Sequence, residues 1–584
     1  MTANRLLLFL CLFLCASPHT QAQTRQLTVR IDHVFGDKTL PFDDVSLRTS
    51  GGNTISVSRL SYLLSNITLF RESEPPLRLD TLAFIDAPGG RTSFQLPPVP
   101  SGRYKGIAFD IGLDPVLNHS DPTRYPAGYP LNPNLNALHW SWQGGYVFLA
   151  IEGRYVLPAD QLGGYSYHIA TDAHLMHAEL ARDFSIDRDC TLDLSMDVAR
   201  VFSSGATITI RHAFGEDSTH SAEGDALAAR IAANIPSAFS IHGTSESTGE
   251  TRVRPVASEP PPGTHRYFFQ TPRGFSDPEL PPDNPLTIEG VRLGERLFSE
   301  RKLSINDTQS CADCHVPSQA FSDAGHAYSK GALGEPGRRN TMPLFNLAWA
   351  GSMTWDGKRA RIRDQALAPI ADAREMNQSL DAGISKLESD GTYPAAFRQA
   401  FGSPGITADR IGLALEQYLL TLVAADSKFD LAMRSEAEFT EEEMRGLSLF
   451  VQEFDPVRGR LGADCFHCHG NELFTNQLFA NNGLDSVFAD PGRASVTGRP
   501  ADAGRFKVPS LRNVELTGPY MHDGRFATLE EVVDHYADGV QPSDSLDPNI
   551  AKHPEGGLAL SCEDRKAIVA FLKTLTDSRY RPVP

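Results

Sequence analysis

The feature that most constrains this chain is a five-residue pattern, Cys-x-x-Cys-His, which occurs twice. The copies read Cys311-Ala-Asp-Cys314-His315 and Cys465-Phe-His-Cys468-His469. This pattern attaches c-type haem, because two thiols at this spacing reach the vinyl groups of one porphyrin and the adjacent histidine faces the iron. A structural zinc site would need further thiol or imidazole ligands nearby. The repeat therefore predicts two covalent haems, and all six residues are expected cofactor ligands.

The N-terminus predicts export. Residues 1–22 contain a basic residue, Arg5, an apolar run from Leu6 to Ala16 and a small residue, Ala22, before the expected cut. This is the pattern of a cleaved secretory signal peptide, and its apolar run is too short to span a bilayer. No later stretch is apolar enough to cross a membrane. We therefore expect a periplasmic protein with no membrane span.

Charge excludes one class of partner. The chain has 54 basic and 72 acidic residues, a net charge of -18. A nucleic-acid partner would require clustered lysine and arginine, so none is expected. Outside the signal peptide and the haem motifs, Cys190 and Cys562 remain, and the sequence leaves open whether they are free or form an inter-domain disulfide.

The N-terminal half predicts an all-β sandwich over residues 23–235. Short alternating runs are separated by Gly, Pro, Asn and Asp clusters; in the first, Leu27, Val29, Ile31 and His33 share one face. Residues 236–283 are rich in Pro, Ser and Gly and predict a linker. The rest is expected to be a mostly α-helical dihaem unit of two cytochrome c-like lobes, residues 284–430 and 431–584.

From about Asn284 onward, the chain resembles the bacterial dihaem cytochrome c peroxidase family. The resemblance is carried by "VRLGERLFSERKLS", "RRNTMPLFN", "WDGKRARIRDQALAPIADAREM" and "FKVPSLRNVELTGPYMHDGRFATLEE". It implies that His315 and His469 are the proximal iron ligands and that Trp355 passes electrons between the haems. It also implies a peroxide pocket formed by Gln365, Pro369 and Glu375. It further implies a calcium site formed by Asn340, Thr517 and Pro519.

Two departures from the peroxidase pattern favour the MauG-type branch, which includes MbnH-like proteins. Where peroxidases carry a distal histidine, this chain has Ala332, and the nearest histidine, His326, is too far upstream. Where they carry an axial methionine, it has Tyr536, with His535 as a rival ligand. A hard phenolate favours ferric and higher oxidation states. Enzymes of this branch use peroxide to oxidise residues of a partner protein.

The β domain resembles the MbnP-like copper-binding domain. The matching stretches are "DHVFG", "YSYHIA" and the run His139-Trp140-Ser-Trp142-Gln-Gly-Gly-Tyr146. In that family, histidines and a tryptophan oxidised to kynurenine form a copper site. The resemblance therefore implies candidate copper ligands His33, His139 and His168, with His174 and His177 as alternatives, and candidate modified residues Trp140 and Trp142.

Together these patterns predict an exported dihaem peroxidase-type oxidoreductase. It would use hydrogen peroxide to oxidise a tryptophan, in its own β domain or in a partner protein, towards kynurenine. One alternative is a conventional cytochrome c peroxidase that takes electrons from a small redox protein. The other is a non-catalytic copper-binding or electron-relay protein.

Overall fold

The computed structural model describes residues 23–140, 144–246, 258–553 and 556–581. The predicted signal peptide and Trp142 lie outside these ranges. Within them, the chain forms an N-terminal β-rich domain and a C-terminal helical unit of two lobes, as predicted. No helix in the described ranges is long and apolar enough to cross a membrane. Cys190 is buried, Cys562 is exposed, and both are free.

The β domain is built on two sheets that share one apolar core. The larger sheet has eleven strands, and its main path is Met176–Ile186, Gly102–Ile111, Arg59–Arg71, Gly145–Val156, Leu162–Ala170 and Ser218–Thr219. Its shorter strands are Leu47–Arg48, Thr54–Ile55, Leu77–Leu79, Ala83–Asp86 and His139–Trp140. The second sheet has five strands: Phe239–Glu246, Cys190–Asp197, Leu27–Phe35, Lys38–Thr39 and Ser93–Gln95.

Strand Leu27–Phe35 shows why the sequence folds into a sandwich. Its residues alternate between buried and partly exposed, so one face lies in the core. It pairs in parallel with Cys190–Asp197, with Leu27 opposite Cys190. Strand Gly145–Val156, in contrast, is buried along nearly its whole length. The helical unit covers the second face of this strand, as the hydrogen bonds from Arg154 to the backbone oxygens of Ser543, Asp544 and Leu546 show.

The helical unit packs around two further apolar cores, one in each lobe. In the first lobe, helices Ile288–Phe298 and Ala408–Leu420 approach closely at Gly294, where a β-carbon would lie 2.0 Å from the Ala414 oxygen. The other helices of this lobe are Cys311–Cys314, Ile362–Ala371, Leu380–Glu388 and Tyr393–Phe401. The second lobe contains Lys428–Met433, whose Phe429 packs on its core, Glu441–Phe450, Phe466–His469, Ala494–Thr497, Leu529–Asp534, the π-helix His535–Gly539, Pro548–Ala551 and Cys562–Lys573.

The predicted linker is wrong at its start. Strand Phe239–Glu246 pairs with Cys190–Asp197 and belongs to the β domain. The described part after it, residues 258–283, packs on the first lobe: Phe275 is buried, and Ser276 accepts a hydrogen bond from the Trp349 indole. The predicted boundary after residue 430 falls inside helix Lys428–Met433. The composition of the predicted linker indicated a spacer, but the aromatic side chains of this segment anchor it to the core.

Candidate active site

The two haem motifs lie on separate cavities of the helical unit. A single turn of helix, Cys311–Cys314, presents both thiols and the following His315 to a cavity in the first lobe. In the second lobe, Cys465, Cys468 and His469 line another cavity, which is predominantly apolar. Thiol pairs beside an adjacent imidazole on an apolar wall are the lining that a covalent porphyrin requires.

The histidines of the two motifs have matching surroundings. The Nδ1–H of His315 donates to the Phe321 oxygen at 3.2 Å, and that of His469 donates to the Phe474 oxygen at 3.0 Å. Burial lowers the pKa of each ring to about 4, so both are neutral at physiological pH. Each ring therefore keeps one unprotonated nitrogen, as iron ligation needs.

The residues expected to form the peroxide pocket line the first cavity together. Gln365 and Pro369 lie one turn apart on helix Ile362–Ala371, and Glu375 follows its end. Burial, with a smaller contribution from Asp372, raises the pKa of Glu375 to about 7. Ala332, where peroxidases carry a distal histidine, donates its backbone N–H to the backbone oxygen of Glu375 at 2.7 Å. With a pKa of about 7, the Glu375 carboxyl group is poised to both accept and donate a proton near neutral pH.

The structure separates Tyr536 from its rival His535. Tyr536 lines the second cavity with Cys465 and Cys468, and its hydroxyl accepts a 3.3 Å hydrogen bond from the Asn482 amide. His535 instead donates to the Asn482 backbone oxygen at 3.0 Å and is not among the residues lining that cavity. Burial raises the pKa of Tyr536, so a phenolate at this position needs a compensating positive charge.

Trp355 lies in the wall between the two cavities and lines both. Its indole N–H donates to the Asn340 oxygen at 2.9 Å, and its backbone oxygen accepts from the Lys507 N–H at 2.7 Å. Lys507 also lines both cavities, and burial lowers its pKa to about 8. Both ends of the tryptophan are thus held in place by hydrogen bonds.

The three residues expected to bind calcium, Asn340, Thr517 and Pro519, all line the second cavity. The Asn340 side-chain amide donates to the backbone oxygens of His326 and Ala327, each at 3.3 Å. Amide, hydroxyl and carbonyl oxygens are the ligands that a hard cation such as calcium prefers.

The three histidines expected to bind copper do not assemble with one another among the described residues. His33 is buried in the sandwich, where its Nε2 lies 3.0 Å from the Tyr62 hydroxyl. His139 packs edge-on against the Tyr146 ring, with centroids 4.7 Å apart. The three candidates therefore lie at separate positions in the β domain, on strands Leu27–Phe35, His139–Trp140 and Leu162–Ala170, and each stays an individual candidate ligand.

His168 instead lies in a cluster with two residues that the sequence did not single out, His220 and His467. The ring of His220 lies 4.7 Å from that of His168 and 4.8 Å from that of His467, between centroids. His467 occupies a variable position of the second haem motif, so it was visible in the pattern. His220 lies in the loop directly after strand Ser218–Thr219, and no local pattern marks it.

Trp140 covers one side of this histidine cluster. Its ring centroid lies 5.6 Å from that of His220 and 5.9 Å from that of His168, and its side chain is 7% exposed. His220 in turn contacts Phe466, within the second haem motif, at 5.7 Å between centroids. A continuous run of aromatic rings therefore joins Trp140 to the haem attachment site.

A buried set of charges surrounds the same cluster on the side of the second lobe. Glu453 pairs with Lys552 and with the Nδ1 of His220, the latter at 2.8 Å. His220 and Lys552 together lower the pKa of Glu453 in spite of its burial. Glu453 and Asp464 raise the pKa of His467, outweighing burial and Lys552. The interface between the domains is thus polar at its centre.

Comparison with known proteins gave matches to both halves of the chain. A family model described as "Di-haem cytochrome c peroxidase" matches residues 288–438, and one described as "MbnP" matches residues 24–221.

Two curated relatives cover the helical unit. The methylamine utilization protein MauG of Methylorubrum extorquens is 38% identical over 311 residues, which are 53% of this chain and 83% of that protein. Cytochrome c551 peroxidase of Nitrosomonas europaea is 32% identical over 306 residues, 50% of this chain and 81% of that protein. Among solved structures, a MauG-like protein associated with microbial copper homeostasis is 32% identical, with a TM-score of 0.48, and covers 55% of this chain and 98% of its own.

Proposed function

Because this chain belongs to the di-haem cytochrome c peroxidase family and also matches the MbnP family, we propose that it uses hydrogen peroxide to oxidise Trp140 of its own β domain. Family membership makes it a peroxidase-type oxidoreductase with two c-type haems. The observation that carries the finer proposal is the run of ring contacts from Trp140 through His220 to Phe466, within the second haem motif.

In this proposal, His315 and His469 would each hold one haem iron through an imidazole nitrogen, and the Tyr536 phenol would also hold the iron in the second lobe. The neutral imidazoles and the buried phenol fit these roles, because a ferric iron would supply the positive charge that a phenolate needs. When bound, the two haems supply peroxide reduction and hold its two oxidising equivalents. Trp355, in the wall between the cavities, is the bridge by which those equivalents are shared.

Glu375 performs the proton transfers of the peroxide step. Its carboxylate accepts the proton from one oxygen of peroxide and gives it to the other oxygen, which leaves as water. Its pKa of about 7 suits both transfers at neutral pH. Gln365 and Pro369, on the adjacent helix, shape and orient this pocket.

Trp140 supplies the electrons. The indole loses two electrons and takes up one water, and the release of two protons in total gives hydroxytryptophan. Peroxide takes up the two electrons and two protons and becomes two waters. A second peroxide converts this product to N-formylkynurenine. Hydrolysis then releases formate and leaves kynurenine.

Peptide mass spectrometry of the mature, haem-loaded chain tests the proposal. After peroxide treatment, we expect added oxygen or kynurenine on the peptide that contains Trp140 and Trp142, and an unmodified Trp349 peptide as internal control. Trp349 is a suitable control because its indole is held by Ser276 in the other lobe. A Trp140→Phe variant separates the two neighbouring tryptophans. Unmodified Trp140 after complete peroxide turnover would contradict the proposal, and turnover that requires a reduced small redox protein would favour the conventional peroxidase.

Three further assignments are part of the same proposal. The mature protein is periplasmic, after removal of residues 1–22. Calcium binds at Asn340, Thr517 and Pro519, which share one cavity wall. The β domain binds copper, in keeping with its match to the MbnP family.

A further inference from the structure

The cluster of His168, His220 and His467 lies where the β domain meets the second haem lobe. Each ring offers a nitrogen within 4.8 Å of those of the other two, and all three side chains are buried. His168 and His220 come from the β domain, and His467 comes from the haem motif itself. Three imidazoles at this separation match the ligand spacing of a single transition-metal ion.

Two ring nitrogens at this cluster are buried and have no hydrogen-bond partner. They are Nδ1 of His168 and Nε2 of His220. An unpartnered polar atom in a protein interior is costly, and a bound ion would satisfy both at once.

The opposite nitrogens of the same two rings are held by carboxylates. Nε2 of His168 lies 2.8 Å from Oε1 of Glu152, and Nδ1 of His220 lies 2.8 Å from Oε2 of Glu453. A histidine that ligates a metal usually gives its other N–H to a carboxylate or a carbonyl oxygen, which orients the ring. Both rings therefore already have the outer partners of ligating histidines.

We propose that His168, His220 and His467 bind one imidazole-preferring transition-metal ion, Cu(I) or Zn(II), at a site that is complete only when the β domain is docked on the second haem lobe. The inference rests on the proposed copper binding of the β domain for the choice of Cu(I), but not for the ligand set. The ion lies against Trp140 and Phe466, and so between the tryptophan and the haem attachment site.

Metal titration of the haem-loaded full chain, without peroxide, tests this site. One arm uses Cu(I) under anaerobic conditions with a competing chelator, and the other uses Zn(II). We expect one ion per chain in addition to the two haem irons. His220→Gln and His467→Gln should each weaken binding by more than the ~10–100-fold that loss of an outer hydrogen-bonding partner costs. Glu152→Gln, which alters the outer hydrogen-bonding partner of His168, should weaken metal binding by ~10–100-fold.

His33→Gln is the matched control, because His33 is a buried histidine of the same domain that lies outside the cluster. Haem absorbance reports folding of each variant, and His467→Gln preserves Cys465, Cys468 and His469 for haem attachment. X-ray absorption should count three nitrogen ligands in the parent chain and two in His467→Gln.

Three results would overturn the proposal: no ion bound in either arm, an unchanged affinity in His467→Gln, or loss of binding in His33→Gln instead. Binding that appears only after peroxide treatment would also overturn it, because oxidised Trp140 would then replace one imidazole. The titration uses no peroxide, so its result is independent of Trp140 oxidation. A failure to oxidise Trp140 would not contradict the three-histidine site, and absence of metal binding would not contradict Trp140 oxidation.

Discussion

At the scale of single residues, Glu375 is the side chain whose surroundings most directly set its chemistry. Burial raises its pKa to about 7, so it is protonated below this pH and ionised above it. Acceptance of the first peroxide proton requires the ionised form. The reaction with peroxide should therefore slow as the pH falls below about 7.

Glu375→Gln should slow the reaction with peroxide by ~10²–10⁴-fold, because the amide cannot take up the proton. It should also abolish the pH dependence near 7. Stopped-flow absorbance of the haems across pH measures both effects. Glu335→Gln provides a control carboxylate elsewhere in the same lobe. A variant whose rate and pH profile match those of the parent would show that Glu375 is not the proton acceptor.

Tyr536→Phe should change the absorbance and electron paramagnetic resonance of one haem only and raise its reduction potential, since it removes an anionic oxygen donor. Tyr520→Phe is the matched control, because Tyr520 lines the same cavity but donates its hydroxyl to the Val514 oxygen at 2.9 Å. Spectra that change with Tyr520 and not with Tyr536 would exclude the phenolate assignment.

At the scale of elements, the segment 258–283 was predicted to be a linker from its composition, and the structure shows it packed on the helical unit. Its Pro and Gly content is typical of a spacer, and its residues show no period that would mark an anchor. In the structure, Phe275 is 4% exposed and its ring lies beneath the guanidinium of Arg512, 4.6 Å from the ring centroid. The segment thus joins the two haem lobes.

Phe275→Ala should lower the free energy of unfolding of the helical unit by ~3–5 kcal/mol, the usual cost of deleting a buried phenyl ring. Phe268→Ala, in the same segment, should have little effect because Phe268 is 77% exposed. Urea titration followed by haem absorbance measures both. Equal effects of the two substitutions would indicate that the segment does not anchor the core.

At the scale of the whole molecule, the β domain docks on the haem lobe through a few polar side chains. Asp43 pairs with Arg499 and Arg505, and Asn549 donates to the Glu152 carboxylate at 3.0 Å. These contacts hold Trp140 against the haem lobe of its own chain, so oxidation of Trp140 is expected to be intramolecular.

The rate of Trp140 oxidation per chain should therefore be independent of protein concentration, because the donor and its haem lobe are part of one molecule. Mass spectrometry over a wide dilution series at fixed peroxide measures this. An isotope-labelled Glu375→Gln chain, mixed with unlabelled parent, should remain unmodified at Trp140. Labelled product in that mixture, or a rate proportional to concentration, would mean that one chain oxidises another.

Features that depend on residues close together in the chain could be predicted from the sequence. A porphyrin is held by neighbouring thiols and the next histidine, so the sequence predicts His315 and His469 as iron ligands without a structure. The alternation of Leu27, Val29 and Ile31 similarly predicted a sandwich strand, because strand periodicity is local.

The contacts between side chains of different domains could be read only from the folded chain. His168, His220 and His467 are far apart in the chain, and periodicity assigns a residue to a face without naming what covers that face. The contact of Trp140 with this cluster depends on long-range packing between domains, which no local pattern of residues encodes.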